Sequence, residues 1–201
     1  MTSVALATED ELSEAVGRRL LAGASHQLDA GLVLRKGGSG YLRSGIGKWC
    51  ALAKRQPLLL LTDLDQGNCA SALIQDWLGE YHRPEGLVLR VAVREVEAWL
   101  LADHEAMQRL LGKKGQLPVD PDALRAPKQR LLQLAKLAKR DVRRDLVAEK
   151  GAVAAQGIAY NARLCEFVSN DWDPQRASIR SESLRRARLR IEELSARLSA
   201  Q

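Results

Sequence analysis

The stretch LLLLTDLD, residues 58–65, takes four leucines and a threonine directly into two aspartates. A continuous apolar run of this length is typical of a strand buried on both faces, as in a parallel sheet covered by helices. In such sheets ligands bind at the carboxyl ends of the strands, where side chains leave the core. Asp63 and Asp65 stand at that end, and their spacing on extended backbone puts both side chains on one face. The stretch therefore predicts a fold class and the position of a site.

The sequence around this stretch alternates between strand and helix patterns. Three more short apolar runs are typical of strands, at residues 3–7, 28–36 and 86–93. The spacing of apolar residues predicts helices after Thr8 and over 44–55, 68–81 and 95–111. Thr8 and Glu11 have the spacing of a capping box at the start of the first helix. We therefore predict an α/β core over residues 1–111, with helices on both faces of a parallel sheet.

Residues 112–201 have a different character. A loop rich in proline, glycine and charge over 112–129 leads into a basic helix over 128–150 and a further helical segment over 151–168. A turn around Trp172 then precedes an amphipathic helix over 181–198. We predict a C-terminal helical extension that is either packed on the core or loosely joined to it.

Composition narrows the class of protein. The chain of 201 residues is 46% hydrophobic, enough for a substantial core, and it has no apolar run near the length of a membrane span. Acidic residues stand near the N-terminus where a signal peptide would need basic ones, so we expect a cytoplasmic protein. The three cysteines are widely spaced without a CxxC pair, which favours free thiols over disulfides or a zinc site.

Positive charge is concentrated in one segment. The net charge is +6, and residues 125–150 hold nine cations against three carboxylates, so this segment carries as much excess charge as the whole chain. A localised basic stretch can attract nucleic acid, and it can equally be the solvated face of a helix. The candidate nucleic-acid-binding residues of this segment are Lys128, Arg130, Lys136, Lys139, Arg140, Arg143 and Arg144.

A glycine-rich stretch over residues 35–49 offers a second set of cations. It is not a P-loop, because Trp49 stands where that motif needs serine or threonine after the lysine. Arg43 and Lys48 are candidates for gripping a phosphate backbone. The alternative is a flexible connection between a strand and a helix.

The acidic residues suggest metal chemistry. Asp63 and Asp65 offer the hard oxygen ligands that Mg²⁺ prefers, and Glu95 and Glu97 follow the strand at 86–93 with the same spacing. If the two strands are neighbours, up to four carboxylates converge, and their repulsion requires a metal or shared protons. A metal-bound cluster could carry phosphoryl transfer. The structural alternatives are that Asp65 caps the next helix and that Glu97 pairs with an arginine, Arg90 or Arg94.

This order of elements resembles the Toprim fold, with Asp63-x-Asp65 after an apolar strand and Glu97-x-Trp99 after a later one. More narrowly it resembles an uncharacterised bacterial Toprim-like family related to overcoming-lysogenisation-defect nucleases and RloB-type defence proteins. The resemblance covers most of the chain and implies a nuclease or other phosphoryl-transfer enzyme in anti-phage defence, often beside an ATPase partner. It implies that Mg²⁺ or Mn²⁺ is held by Asp63, Asp65 and Glu97, while Glu9 or Glu11 completes the cluster or orients water.

The chain departs from the Toprim pattern at one place. Toprim proteins carry a Glu-Gly pair directly after the first strand, whereas Ala7 and Thr8 stand there in this chain, followed by Glu9, Asp10 and Glu11. We expect Glu9 in the helix turn rather than at the strand end. The alternative hypothesis is therefore a catalytically reduced Toprim-fold module that binds nucleic acid or docks an ATPase partner.

Overall fold

The computed structural model describes residues 2–200. Its strands are β1 (Thr2–Thr8), β2 (Leu28–Arg35), β3 (Leu58–Asp63) and β4 (Leu87–Ala92). They pair in parallel in one four-stranded sheet of order β2-β1-β3-β4. The prediction of a parallel α/β sheet is confirmed, and each predicted strand is present with ends that differ by no more than two residues.

The strands are apolar because both faces of the sheet are covered. Leu58, Leu59, Leu60 and Leu61 have no exposed surface, since successive side chains point to opposite faces and each face packs against helices. Leu59 and Leu61 belong to one hydrophobic cluster, and Leu58 and Leu60 belong to another on the opposite side. Burying a leucine side chain contributes about 1.5–3 kcal/mol, so the four leucines together contribute about 6–12 kcal/mol.

Each strand is followed along the chain by one or more helices. They are α1 (Glu11–Ala22), α2 (Ser39–Ser44), α3 (Ile46–Ala53), α4 (Ala70–Leu78), α5 (Val96–Ala102), α6 (His104–Leu111), α7 (Pro127–Ala135), α8 (Arg140–Leu146), α9 (Tyr160–Asn170), α10 (Pro174–Ala177) and α11 (Glu182–Ser199). Helices α2 to α4 cover one face of the sheet, and α1 with the helices from α5 onward covers the other. None of the helices within residues 2–200 is both long enough and apolar enough to cross a membrane.

Several helix ends differ from the prediction because side chains cap the helices elsewhere. Asp10 caps α1, its carboxylate accepting from the Ser13 N–H at 2.8 Å, so the predicted capping box at Thr8 is wrong. The helix predicted over 95–111 is interrupted at Asp103, whose carboxylate caps α6. The basic segment forms two helices, α7 and α8, rather than one, and residues 151–159 are not helical.

The helical extension packs on the core and shares its largest hydrophobic cluster. The indole N–H of Trp99 donates to the Ser183 hydroxyl at 2.7 Å, and that of Trp172 donates to the Trp99 carbonyl at 3.1 Å. The fully buried carboxylate of Asp103 accepts two hydrogen bonds from the Arg176 guanidinium, at 3.0 and 2.8 Å. The packed arrangement, one of the two alternatives for residues 112–201, is therefore the one observed.

Candidate functional site

The sheet order places a crevice between β1 and β3. The chain leaves β1 for β2 on one side of the sheet and continues with β3 and β4 on the other. Ligands of open α/β sheets bind outside the carboxyl ends of the strands at such a switch point. Glu9 directly follows β1, and Asp63 is the last residue of β3, so these two carboxylates flank the switch point.

Glu9 reaches across the gap to the end of β3. Its Oε1 accepts a hydrogen bond from the backbone N–H of Asp63 at 3.0 Å and another from the hydroxyl of Thr62. Thr62 is fully buried, so the threonine that ends the leucine run fixes the position of this carboxylate. The expectation that Glu9 sits in the helix turn is wrong. Glu9 lies at the strand end, where the Toprim resemblance calls for a glutamate.

The loop after β4 brings a third carboxylate to the same place. Asp63 Oδ1 accepts from the backbone N–H of Val96, the first residue of α5, at 3.0 Å. The next residue, Glu97, is 5% exposed, and its Oε1 accepts from the Tyr160 hydroxyl at 2.8 Å. Asp63 is therefore held between Glu9 on one side and the start of α5 on the other.

The pKa values of the three carboxyl groups are all raised, and the negative charges of Glu97 and Glu9 both act on Asp63. Burial, followed by the charges of Glu97 and Glu9, raises the pKa of Asp63 well above its usual value. Burial also raises the pKa of Glu9, to which the charges of Asp65 and Asp10 add, while the hydrogen bonds from β3 act in the opposite direction. Burial is again the main cause of the raised pKa of Glu97, opposed by its hydrogen bond with Tyr160. A bound cation would relieve this repulsion.

Asp65 lies in the turn that follows β3 rather than on the strand. Its φ of 50° is in the left-handed region that aspartate tolerates in tight turns. Its backbone N–H donates to the Arg94 carbonyl at 2.9 Å, and its own carbonyl accepts from the Arg94 guanidinium at 3.1 Å. The cap of α4 is Cys69, so the alternative that Asp65 caps this helix is wrong. The exposed carboxylate of Asp65 forms no ion pair within residues 2–200.

Two other predicted acids have different surroundings. Glu11 pairs with Arg35 at 3.0 Å on the surface and is not among the charges that raise the pKa of Asp63. Glu95 accepts from the backbone N–H of Lys128 at 2.8 Å and so links the β4–α5 loop to the start of α7. The alternative that Glu97 pairs with a neighbouring arginine is also wrong, because its partner is a tyrosine hydroxyl.

Tyr160 and Asp10 belong to the surroundings of the site, and the sequence interpretation missed both. Tyr160 lies 63 positions after Glu97 in the chain, in a segment without a recognisable motif. No spacing rule could have found it, since only the packing of α9 against the core brings the two together. Asp10 is adjacent to Glu9, and its charge contributes to the raised pKa of Asp63.

The donor set of this acidic site, comprising Glu9, Asp63, Asp65 and Glu97, fits a hard divalent cation in its chemistry. Among residues 2–200 no three His, Cys, Asp or Glu side chains are already arranged around a metal position. Mg²⁺, however, keeps several waters and is usually held by only one or two carboxylates together with substrate phosphate. Glu9 and Asp63 each use one carboxylate oxygen in the hydrogen bonds described above, which leaves the other oxygen for a metal.

Two of the predicted phosphate-binding residues lie beside the acidic site. The ammonium group of Lys128 lies 5.0 Å from the centroid of the Tyr160 ring, and its charge acts to lower the pKa of Glu97. Arg43 lines, with Asp63 and Asp65, a groove of about 480 Å³, and it also pairs with Asp76 at 2.9 Å. These two cations are placed where a phosphate next to the carboxylates would meet them.

The other predicted basic residues have no described link to the acidic site. Arg130 donates to the Gln116 carbonyl at 2.7 Å and has a structural role. Arg144 is exposed and contacts Asp145 at 3.4 Å. The remaining cations are exposed on α3, on α8 and in the turn between α7 and α8, namely Lys48, Lys136, Lys139, Arg140 and Arg143. Their exposure agrees with the alternative that the basic segment is the solvated face of a helix.

Comparisons with protein-family models, with curated proteins and with solved structures found no match to this chain. The Toprim resemblance therefore rests on the residues quoted above. What it implies about activity, metal and partners is a proposal that has to be supported by the geometry of the acidic site.

Proposed function

We propose that this chain is a Mg²⁺- or Mn²⁺-dependent nuclease, or a related phosphoryl-transfer enzyme, that acts on nucleic acid. The observation that carries the proposal is the contact between Glu9 and the end of β3. It puts Glu9 and Asp63 side by side at the topological switch point, where open α/β sheets bind ligands. Neither carboxylate forms an ion pair within residues 2–200, so their charges remain uncompensated by the protein.

The chain's own residues would orient the reacting groups. Glu9 is fixed by Thr62, and Asp63 is fixed by the start of α5, so the free oxygen of each would hold the metal. The chemistry that a divalent cation would supply there is activation of a water molecule and stabilisation of the leaving oxygen of a phosphodiester. Tyr160 fixes Glu97, whose charge acts on Asp63, and Lys128, which lies against the Tyr160 ring, would contact a phosphate oxygen of the substrate.

A second candidate is the catalytically reduced module that binds nucleic acid or docks an ATPase partner in anti-phage defence. It is favoured by the lack, among residues 2–200, of three side chains already arranged around a metal position. Its main sequence argument was the missing glutamate after the first strand. That argument is weaker because Glu9 lies at the strand end and contacts Asp63.

The two candidates separate in a cleavage assay. Purified protein is incubated with labelled plasmid, RNA and tRNA in Mg²⁺, Mn²⁺ or EDTA, beside the variants Asp63→Asn and Glu9→Gln. The matched control is Asp29→Asn, an exposed position near the amino end of β2, whereas the acidic site lies at the carboxyl ends of β1 and β3. We expect metal-dependent cutting that falls by about 100-fold or more in both site variants and persists in the control. Binding without cutting supports the second candidate in its nucleic-acid-binding form. Neither binding nor cutting contradicts the nuclease and that form, and leaves only a module that docks an ATPase partner.

A further inference from the structure

A second groove adjoins the acidic site on the side of β4. It has a volume of about 570 Å³ and lies between the start of α4, the end of β4 and α11. Leu64, Asn68 and Cys69 line both this groove and the one that contains Asp63 and Asp65. Because only the turn after β3 separates the two grooves, a chain-like ligand can occupy both.

Most of the charged residues that line this second groove are arginines, and we therefore call it the arginine groove. Its charged residues are Arg90, Arg94, Arg186, Arg190 and Glu193. The single acid, Glu193, is already paired with Arg190 at 2.6 Å. The groove therefore carries a clear excess of positive charge, and a ligand that fits it has to be anionic.

An acid outside the groove, Glu182, pairs with one of these arginines without neutralising the excess. Glu182 accepts from Arg186 at 2.7 Å, but it accepts from Arg185 as well, so one carboxylate serves two guanidinium groups. Both pairs are exposed, and ion pairs of this kind exchange readily with a competing anion.

Arg90 is the arginine whose surroundings most favour a bound anion. It stands in the middle of β4, and its buried Nε has no hydrogen-bond partner among residues 2–200. Burial, together with the charges of Arg83, Arg190 and Arg186, lowers its pKa to about 10. A buried donor without an acceptor costs free energy, and neighbouring like charges add to that cost. A phosphate in the groove would offset the repulsion between Arg90 and the neighbouring guanidinium groups.

We propose that the arginine groove binds backbone phosphates of a nucleic acid strand whose adjacent phosphodiester reaches the acidic site. Guanidinium groups match phosphate oxygens in pairs, which suits arginine to this task. Arg94 also donates to the Asp65 and Gly67 carbonyls, at 3.1 and 2.8 Å, and so ties the groove to the turn that carries Asp65. The groove, rather than the basic segment over 125–150, is then the main track for the strand. Its relation to cutting rests on the proposed function.

The test measures binding separately from cutting. Fluorescence anisotropy with labelled single-stranded DNA, duplex DNA and RNA of one sequence is recorded in EDTA over a series of salt concentrations. The groove variant is Arg186→Gln/Arg190→Gln, and the matched control Arg140→Gln/Arg143→Gln removes the same charge from exposed positions on α8. We expect about tenfold weaker binding and a salt slope smaller by about 2 in the groove variant, with little change in the control. Glu193→Gln, which removes the groove's one acid, is expected to tighten binding about threefold.

The outcomes separate this inference from the proposed nuclease. Equal losses in the groove and control variants, unchanged affinity in the groove variant, or no binding of any oligonucleotide each overturn the arginine groove. Groove-dependent binding without metal-dependent cutting leaves the groove standing and overturns the nuclease. If the groove variant keeps both its affinity and metal-dependent cutting, the nuclease stands and the arginine groove is overturned.

Discussion

Replacing Asp63 with asparagine is expected to abolish cutting and, at neutral pH, to make the fold more stable. Asparagine has nearly the same shape, and its side-chain oxygen can still accept from the Val96 N–H. The backbone N–H that donates to Glu9 is also unchanged. The substitution therefore removes one negative charge from a group of mutually repelling carboxylates and changes little else.

The size of the gain follows from the position of the charge. Two like charges 4 Å apart repel by about 4 kcal/mol at an effective dielectric constant of 20, and by about 1 kcal/mol in water. Asp63 is partly buried, and Asp65 beside it is exposed, so we expect a gain in the free energy of unfolding of about 1–2 kcal/mol. For a chain of this length that corresponds to a rise in Tm of roughly 3–6 °C.

The stability gained by Asp63→Asn should increase with pH. The pKa of Asp63 is raised in the folded state, so the wild-type fold is favoured while this carboxyl is protonated and loses that advantage as pH rises through the folded pKa. Asparagine has no such loss. The difference in Tm between the variant and the wild type should be largest at neutral pH and should shrink as pH falls toward the ordinary aspartate pKa of about 4.

Thermal unfolding by circular dichroism at several pH values, with and without Mg²⁺, measures the gain in stability and its pH dependence, and the cleavage assay measures the loss of cutting. A bound cation raises the Tm of the wild type by mass action, and it should raise that of Asp63→Asn much less. Asp29→Asn, with the same charge change at an exposed position, should shift the Tm little in either buffer. A lower Tm for Asp63→Asn at neutral pH, or an equal rise with Mg²⁺ in both proteins, would refute the reasoning.

Three further substitutions test separate parts of the structure. Tyr160→Phe removes the hydrogen bond to Glu97, and we expect about 10–100-fold weaker activation by Mg²⁺ in a titration of cutting rate. The Tm should also fall, because the buried Glu97 carboxylate loses its donor at a cost of about 1–3 kcal/mol. Glu11→Gln should leave the cutting rate within about twofold of wild type, because an exposed ion pair contributes little; a large loss would return Glu11 to the site. Arg176→Leu leaves the buried charge of Asp103 unpaired, and urea unfolding should show a loss of about 3–5 kcal/mol.

The fold could be predicted from the sequence because its strands are buried on both faces. A strand such as β3 has to be apolar throughout, and an apolar run bounded by polar turns is visible without coordinates. Helix ends were less predictable, since caps such as Asp10 compete with other candidates nearby. The break between α7 and α8 was not visible either, because the apolar spacing continues through the turn.

The acidic site could be predicted only in part. The carboxylates that end β3 and begin α5 follow from the strand pattern, and the charge of Glu97 does act on Asp63, whose pKa it raises. The position of Glu9 could not be read from spacing, because β1 is longer than the apolar run that marks it. That extra length carries Glu9 past the sheet edge, where Thr62 and the Asp63 N–H hold it. The contact of Glu9 with the end of β3 thus depends on the pairing of β1 with β3, and a local sequence pattern does not predict that pairing.

The helical extension is part of the acidic site rather than an appendage to it. Tyr160 in α9 orients Glu97, and Lys128 in α7 lies against the Tyr160 ring. Helix α11 supplies Arg186 and Arg190 to the arginine groove. Residues 2–111 therefore hold the carboxylates, but the groups that position one of them and that would bind the strand come from the later helices. We therefore expect a variant that loosens the packing of the extension to lose the orientation of Glu97 and the proposed strand binding together.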